Sequence, residues 1–219
     1  MDQKTLKNWH SVEYRELLAI LTKNRKCPHV CLVSARSGVG KTTVCSSAMS
    51  ATPESQKITC SVFENETLTN EDIYPLRVLA DRLDERGNQG HHNIQPFREW
   101  LRTNTADSLA DIGAITREVA LNLTQSEILG IKQIYDFLQK RIKGREIGAL
   151  DTPESQATAQ FQALINAYIT AQLRSGPFAI HIQNTQRVRL DGAGFKALRE
   201  ILTLPQPHTL ILEYTFQMD

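Results

Sequence analysis

The sequence predicts an α/β protein, a three-layer sandwich on a mainly parallel sheet with a helical insertion between its second and third strands. Three observations carry this. A short, almost continuous apolar run, His29 to Ser34, leads straight into a glycine-rich loop and a helix-compatible segment. Further short apolar runs near residues 57, 178 and 209 are separated by stretches of helical period, and β-branched runs of this kind suit strands buried on both faces. A long helical tract lies between the second and third of these runs, which places it as an insertion.

In chain order, Trp9, Val12, Leu17, Leu18, Ile20 and Leu21 punctuate a charged stretch from Lys7 to Lys23 and predict an amphipathic helix. The first strand follows at His29 to Ser34, and Thr43 to Met49 has helical composition. A second strand is expected at Lys57 to Glu64, after the turn-like Thr52-Pro-Glu-Ser55. Acidic residues between Asn70 and Ile73, with Pro75 tolerated in a first turn, open a helix carried by Leu76, Leu79, Ala80 and Leu83 and ended by Gly87. Residues Gly87 to Asn93 form a polar loop, and Gln95 to Arg145 is expected as three helices broken near Asn104 and Thr124. Glycine, proline and small polar residues mark a linker from Gly144 to Ser155. A long helix from Gln156 to Arg174 is then stopped by Pro177. A strand at Phe178 to Gln183, a helix at Ala193 to Leu202 and a strand at Thr209 to Thr215 complete the pattern. The chain is thus expected to be one core: an amino-terminal helix (1–27), a strand–loop–helix–strand unit (28–64), a helical insertion (65–155) and the last two strands (156–219).

The 219 residues are 41% hydrophobic and 22% charged, enough to bury a sizeable core in one large domain. A net charge of +1 supplies no long-range attraction to nucleic acid or to anionic membranes. No secretory leader precedes Ser11 and no apolar run reaches the roughly 18 residues of a membrane span, so a cytoplasmic protein is expected. Cys27, Cys31, Cys45 and Cys60 are too irregularly spaced for a disulfide framework, and Cys27 and Cys31 lack a second ligand pair for zinc; reduced, buried thiols are expected.

The segment Ala35-Arg-Ser-Gly-Val-Gly-Lys-Thr42 carries the chemistry. It is a phosphate-binding loop with alanine in place of the usual first glycine, set between a strand and a helix. Gly38 and Gly40 let the backbone curl so that N–H groups from Ser37 through Val39 to Thr43 turn toward an anion, and the following helix adds its positive dipole end. Lys41 is placed to reach the terminal phosphates and the Thr42 hydroxyl to join a Mg2+ shell.

Such loops pair with an acidic residue at the end of a neighbouring buried strand. Here the third strand ends in Gln183-Asn184, two amides that carry no charge and take no proton from water. Asn184 is still placed near the metal, but hydrolysis is expected to be slow or absent unless a carboxylate substitutes. Glu213, on the fourth strand, and Glu64, at the end of the second, are the residues expected to do so, because ligands collect at the carboxyl ends of parallel strands. Asp191, before Gly192, reads instead as a helix cap.

Taken with the loop, Tyr14-Arg-Glu-Leu-Leu18, Ile73-Tyr-Pro-Leu-Arg77, Gly176-Pro-Phe-Ala-Ile-His-Ile-Gln-Asn184 and Phe195-Lys-Ala-Leu-Arg-Glu-Ile-Leu202 resemble the signal-transducing P-loop ATPases with numerous domains, the AAA+-related STAND class. The resemblance spans most of the chain and implies a P-loop NTPase core that binds ATP and Mg2+ and uses nucleotide as a conformational or assembly switch. It also implies a protein partner or self-association. The family's paired acids are here Gln183 and Asn184, and only four residues follow Thr215 where the family has a fifth strand and a helical lid. The resemblance therefore implies the front part of a longer protein or a core completed by a partner.

ATP is expected over GTP from the resemblance, and no guanine-reading Asn-Lys-x-Asp motif occurs. Two other classes fit the same residues. A small-molecule phosphotransferase would draw basic groups from Arg77, Arg82, Arg86 or the Lys140, Arg141, Lys143 and Arg145 cluster. An interaction scaffold with a relic loop would dock partners through Phe97, Trp100 and Leu101, residues that helical spacing otherwise assigns to a core. His91 and His92 read as a loop pair.

Overall fold

The computed structural model describes residues 12–22, 27–61, 74–91, 93–104, 131, 153–187 and 193–216. Contacts divide the chain into two compact units, one formed by Met1–Asp72 with Gly176–Asp219 and the other by Ile73–Ser175.

The first unit is α/β. Its four strands, β1 (His29–Ala35), β2 (Lys57–Ser61), β3 (Ala179–Gln183) and β4 (Thr209–Thr215), form an all-parallel sheet in the order β1-β4-β3-β2. The last strand in sequence is thus inserted beside the first. Helices α1 (Val12–Thr22) and α2 (Lys41–Met49) belong to the same unit. Leu17 and Leu21 of α1 and Cys45, Ala48 and Met49 of α2 share a core with Ala179 of β3 and Ile211 of β4, and Cys31 and Val33 of β1 pack against it. These residues select one face of the sheet, because alternate strand residues point the same way. On β1 the other face, Val30 and Leu32, is 53% and 65% exposed.

Register follows from burial. Ile180 and Ile182 of β3 are fully buried and pair with Ile58 and Cys60 of β2 on one side and Leu210 and Leu212 of β4 on the other. A slip of one residue would turn these side chains to the opposite face, so the apolar pattern holds the pairing. His208 ties the strand starts together: its carbonyl accepts from His29 N at 2.9 Å and its Nδ1 from Phe178 N at 3.2 Å.

The second unit contains α3 (Tyr74–Asn88), α4 (Phe97–Asn104) and α5 (Pro153–Leu173). Pro75 lies in the first turn of α3, where its missing N–H costs no helical bond. Helix α3 passes through Gly87 to Asn88, because Gly87 stays helical and leaves the closest approach of Pro96 free of a Cβ. Phe97, Trp100 and Tyr168 pack ring on ring, with centroids 4.9 to 5.9 Å apart, and all three are buried. Sequence spacing assigned Phe97, Trp100 and Leu101 either to a core or to a docking surface; they are core.

Of the strand expected over Lys57 to Glu64, β2 covers Lys57–Ser61, and Glu64 lies outside the described residues. Two placements differ from expectation. The expected linker ends sooner, since Pro153 to Ser155 already form the start of α5. That helix, expected with the last two strands, packs on α3 in the second unit. The expected helices between Thr105 and Arg145, together with Asp191, His92 and the Lys140 cluster, fall outside the described residues apart from Ile131.

Asp84 joins α3 to α4. Its Oδ1 accepts from Phe97 N at 2.7 Å, satisfying a donor at the start of α4 from a neighbouring helix. Burial raises the Asp84 carboxyl above its ordinary 3.8, opposed by the bonds from Phe97 N and Asn88. Between 3.8 and the raised value the native chain holds a proton that the unfolded chain has released, so stability falls as pH climbs through that window. Asp84→Asn should abolish this decline, and Asp84→Ala should cost about 1–3 kcal/mol by stranding the Phe97 N–H. Denaturant unfolding at pH 4 to 7 checks both, and an unchanged pH slope in Asp84→Asn would count against the assignment.

Candidate nucleotide site

The loop after β1 has the backbone its glycines require. Gly38 and Gly40 take φ of 78° and 89°, left-handed values that an L residue adopts only with strain. Gly40 caps α2, and its carbonyl accepts the first helical bond from Val44 N at 2.9 Å. Arg36 to Val39 are exposed, so the loop backbone reaches solvent. Lys41 is buried, and its Nζ donates to the Arg36 carbonyl at 2.7 Å, closing the loop around its own lysine. Thr43 is exposed on the first turn of α2.

Thr42 turns to the sheet. Its Oγ1 donates to Glu213 Oε1 at 2.5 Å, across 171 residues of sequence. Glu213 is 4% exposed and stands opposite Val33 of β1, so the strand beside the loop carries the carboxylate. Its second oxygen, Oε2, lies 3.1 Å from Nε2 of the fully buried His181 on β3. Burial lowers the proton affinity of this imidazole below its ordinary 6.5, against the opposing pull of Glu213, so a neutral His181 donates from Nε2 to the carboxylate. Thr185 Oγ1 donates to the Glu213 carbonyl at 3.0 Å and fastens the turn after β3 to β4.

The expected site residues therefore divide. Ser37, Gly38, Val39, Gly40, Lys41, Thr42 and Thr43 are contiguous on the loop and helix start, and Glu213 joins them through Thr42. Asn184 goes elsewhere: its Nδ2 donates to Ser61 Oγ at 3.1 Å, toward the β2 side of the sheet, and its φ is 61°. Gln183 is half-buried at the end of β3.

Two neighbours escaped the sequence reading. His181 reads as one residue of an apolar strand, and only the β3–β4 register, His181 opposite Ile211, brings it beside Glu213. Cys45, one turn beyond Lys41, points into the core, where burial, Glu213 and Cys31 push its thiol up to about 12. Cys60 is buried as expected, whereas Cys27 is exposed and Cys31 half-buried; all four are free thiols.

Thr42 and Glu213 present a hydroxyl and a carboxylate oxygen side by side, a hard-oxygen donor set that suits Mg2+. Compared with protein-family models, curated proteins and solved structures, the chain matches none. Among the described residues no helix is long and apolar enough to cross a membrane.

Removing the carboxylate strips partners from Thr42 and from a buried imidazole. Glu213→Ala should lower stability by about 2 kcal/mol or more, on the scale of hydrogen bonds to charged groups. Glu213→Gln, which retains an acceptor toward Thr42, should cost clearly less. Equal unfolding midpoints for the native chain and Glu213→Ala would show that the network contributes nothing to stability.

Proposed function

We propose that the chain is an ATP-binding regulatory module, a P-loop NTPase core in which nucleotide sets conformation or assembly with weak or absent hydrolysis. The observation that carries the reading is the Thr42–Glu213 bond, formed directly beneath a loop whose two glycines hold the left-handed backbone of an anion cradle.

Each group then has a task. The exposed N–H groups from Ser37 to Thr43 and the start of α2 receive the phosphates. Lys41, released from the Arg36 carbonyl, neutralises phosphate charge. Thr42 and Glu213 hold Mg2+, which when bound offsets the charge on the phosphate oxygens. His181 is a positioning residue: donating to Oε2, it keeps Oε1 turned toward Thr42. With Glu213 engaged by both neighbours and Gln183-Asn184 supplying amides, little is left to take a proton from water, so binding outlasts turnover. Membership of the STAND class, and a preference for ATP over GTP, extend this reading on the resemblance of the motifs alone.

Titration of the chain with ATP and GTP, with and without Mg2+, tests it when phosphate release is followed in the same samples. Tight Mg2+-dependent binding with little release supports the reading, and absence of binding overturns it in favour of a scaffold with a relic loop. Lys41→Ala should abolish binding while leaving the circular dichroism spectrum unchanged; undiminished affinity by calorimetry would remove the phosphate-loop assignment. Thr42→Val and Glu213→Gln should each lose about tenfold of the Mg2+-dependent gain in affinity, equivalent to about 1.4 kcal/mol. Asn184→Asp should leave that gain unchanged, because its amide is committed to Ser61.

A further inference from the structure

Behind Thr42 the site changes chemical character. Cys45 Sγ, a ring nitrogen of His181 and a carboxylate oxygen of Glu213 all lie within 4.8 Å of one another, and all three residues are buried. Three separate elements deliver them: Cys45 from α2, His181 from β3 and Glu213 from β4. Four-coordinate zinc, with bonds of about 2.0–2.3 Å, holds neighbouring donors about 3.3–3.8 Å apart. The 3.1 Å separation of His181 Nε2 and Glu213 Oε2 is already close to that spacing, and the Cys45 thiol stands within 4.8 Å of the other two donors.

A cation bound to His181 Nε2 would take the place of the proton on that nitrogen, which would pass to Nδ1, buried and among the described residues without a hydrogen-bond partner. Nucleotide binding does not use the Cys45 thiol.

We propose that Cys45, His181 and Glu213 form a binding site for a borderline-soft divalent cation of the Zn2+ class, with the fourth coordination place left to water. A thiolate and an imidazole select against Mg2+ and Ca2+, which take oxygen ligands. A thiolate and a carboxylate together balance a charge of +2, so the filled site buries no net charge. Binding exchanges the Cys45 S–H bond for a metal–sulfur bond and releases one proton to solvent, with no change of oxidation state. The site goes beyond the nucleotide reading and does not rest on it. The two share Glu213 but use different oxygens, since Oε1 faces Thr42 and Oε2 faces His181.

The test is a Co2+ titration of the metal-free full chain without nucleotide, read by absorption. Thiolate-to-cobalt charge transfer and tetrahedral visible bands should saturate at one equivalent and be displaced by Zn2+ but not by Mg2+. The Cys27→Ser/Cys31→Ser double variant should keep the charge-transfer band and Cys45→Ser should lose it. His181→Gln should weaken Co2+ binding by about tenfold or more. Should Cys45→Ser fail to fold, zinc-edge X-ray absorption on the Zn2+-loaded double variant replaces it, with one sulfur neighbour expected. A spectrum without charge transfer, a zinc shell of oxygen and nitrogen alone, or a folded Cys45→Ser that keeps the band would overturn the proposal. A failed cobalt titration leaves ATP affinity untouched, and failed ATP binding leaves the cobalt spectrum untouched, so the two readings fall separately.

Discussion

A carboxylate buried on a sheet strand is tolerated only when its oxygens are hydrogen-bonded, and at Glu213 that requirement organises the first unit. Oε1 is met from α2 by Thr42 and Oε2 from β3 by His181, while the backbone carbonyl is met by Thr185. Each partner constrains an element. Thr42 reaches Oε1 only because Gly40 starts α2 from a left-handed conformation directly after β1. His181 reaches Oε2 only because β3 and β4 pair with His181 opposite Ile211. The loop, the helix start and two strand registers are therefore coupled through one side chain.

The second unit is held by different forces. Its centre is the aromatic group of Phe97, Trp100 and Tyr168, where apolar area and edge-on ring contacts dominate. Among the described residues, several buried polar groups have a local task. Asp84 satisfies the start of α4, Gln172 Oε1 accepts from Gln95 N at 2.7 Å, and Tyr168 donates its hydroxyl to the Gln95 carbonyl at 2.9 Å. These bonds join the segment around Gln95 to α5 inside the same unit.

Glu213 also stands at a change of chemistry. Toward the loop its neighbour is the Thr42 hydroxyl; toward the core it meets the imidazole of His181 and the thiol of Cys45, both fully buried. On the two readings proposed, one carboxylate would serve a hard cation through Oε1 and a softer one through Oε2. Changes at Thr42 and at Cys45 would then perturb different proposed sites, whereas changes at Glu213 would perturb both.

The sequence by itself determined the strands, the helix after the loop and the loop's glycines, because these depend on short-range rules: apolar runs, helical spacing and the φ values only glycine takes without strain. It also singled out Glu213, since a carboxylate near the end of a parallel strand is visible without coordinates. Which strand neighbours which was decided by tertiary structure. The insertion of β4 beside β1 brings Glu213 under Thr42 across 171 residues, and no local pattern encodes that pairing. The assignment of Asn184 to Ser61, the approach of His181 and Cys45, and the passage of α3 through Gly87 were settled the same way. Each depends on what packs against the residue, a many-body property of the folded chain that the period of a single segment does not carry.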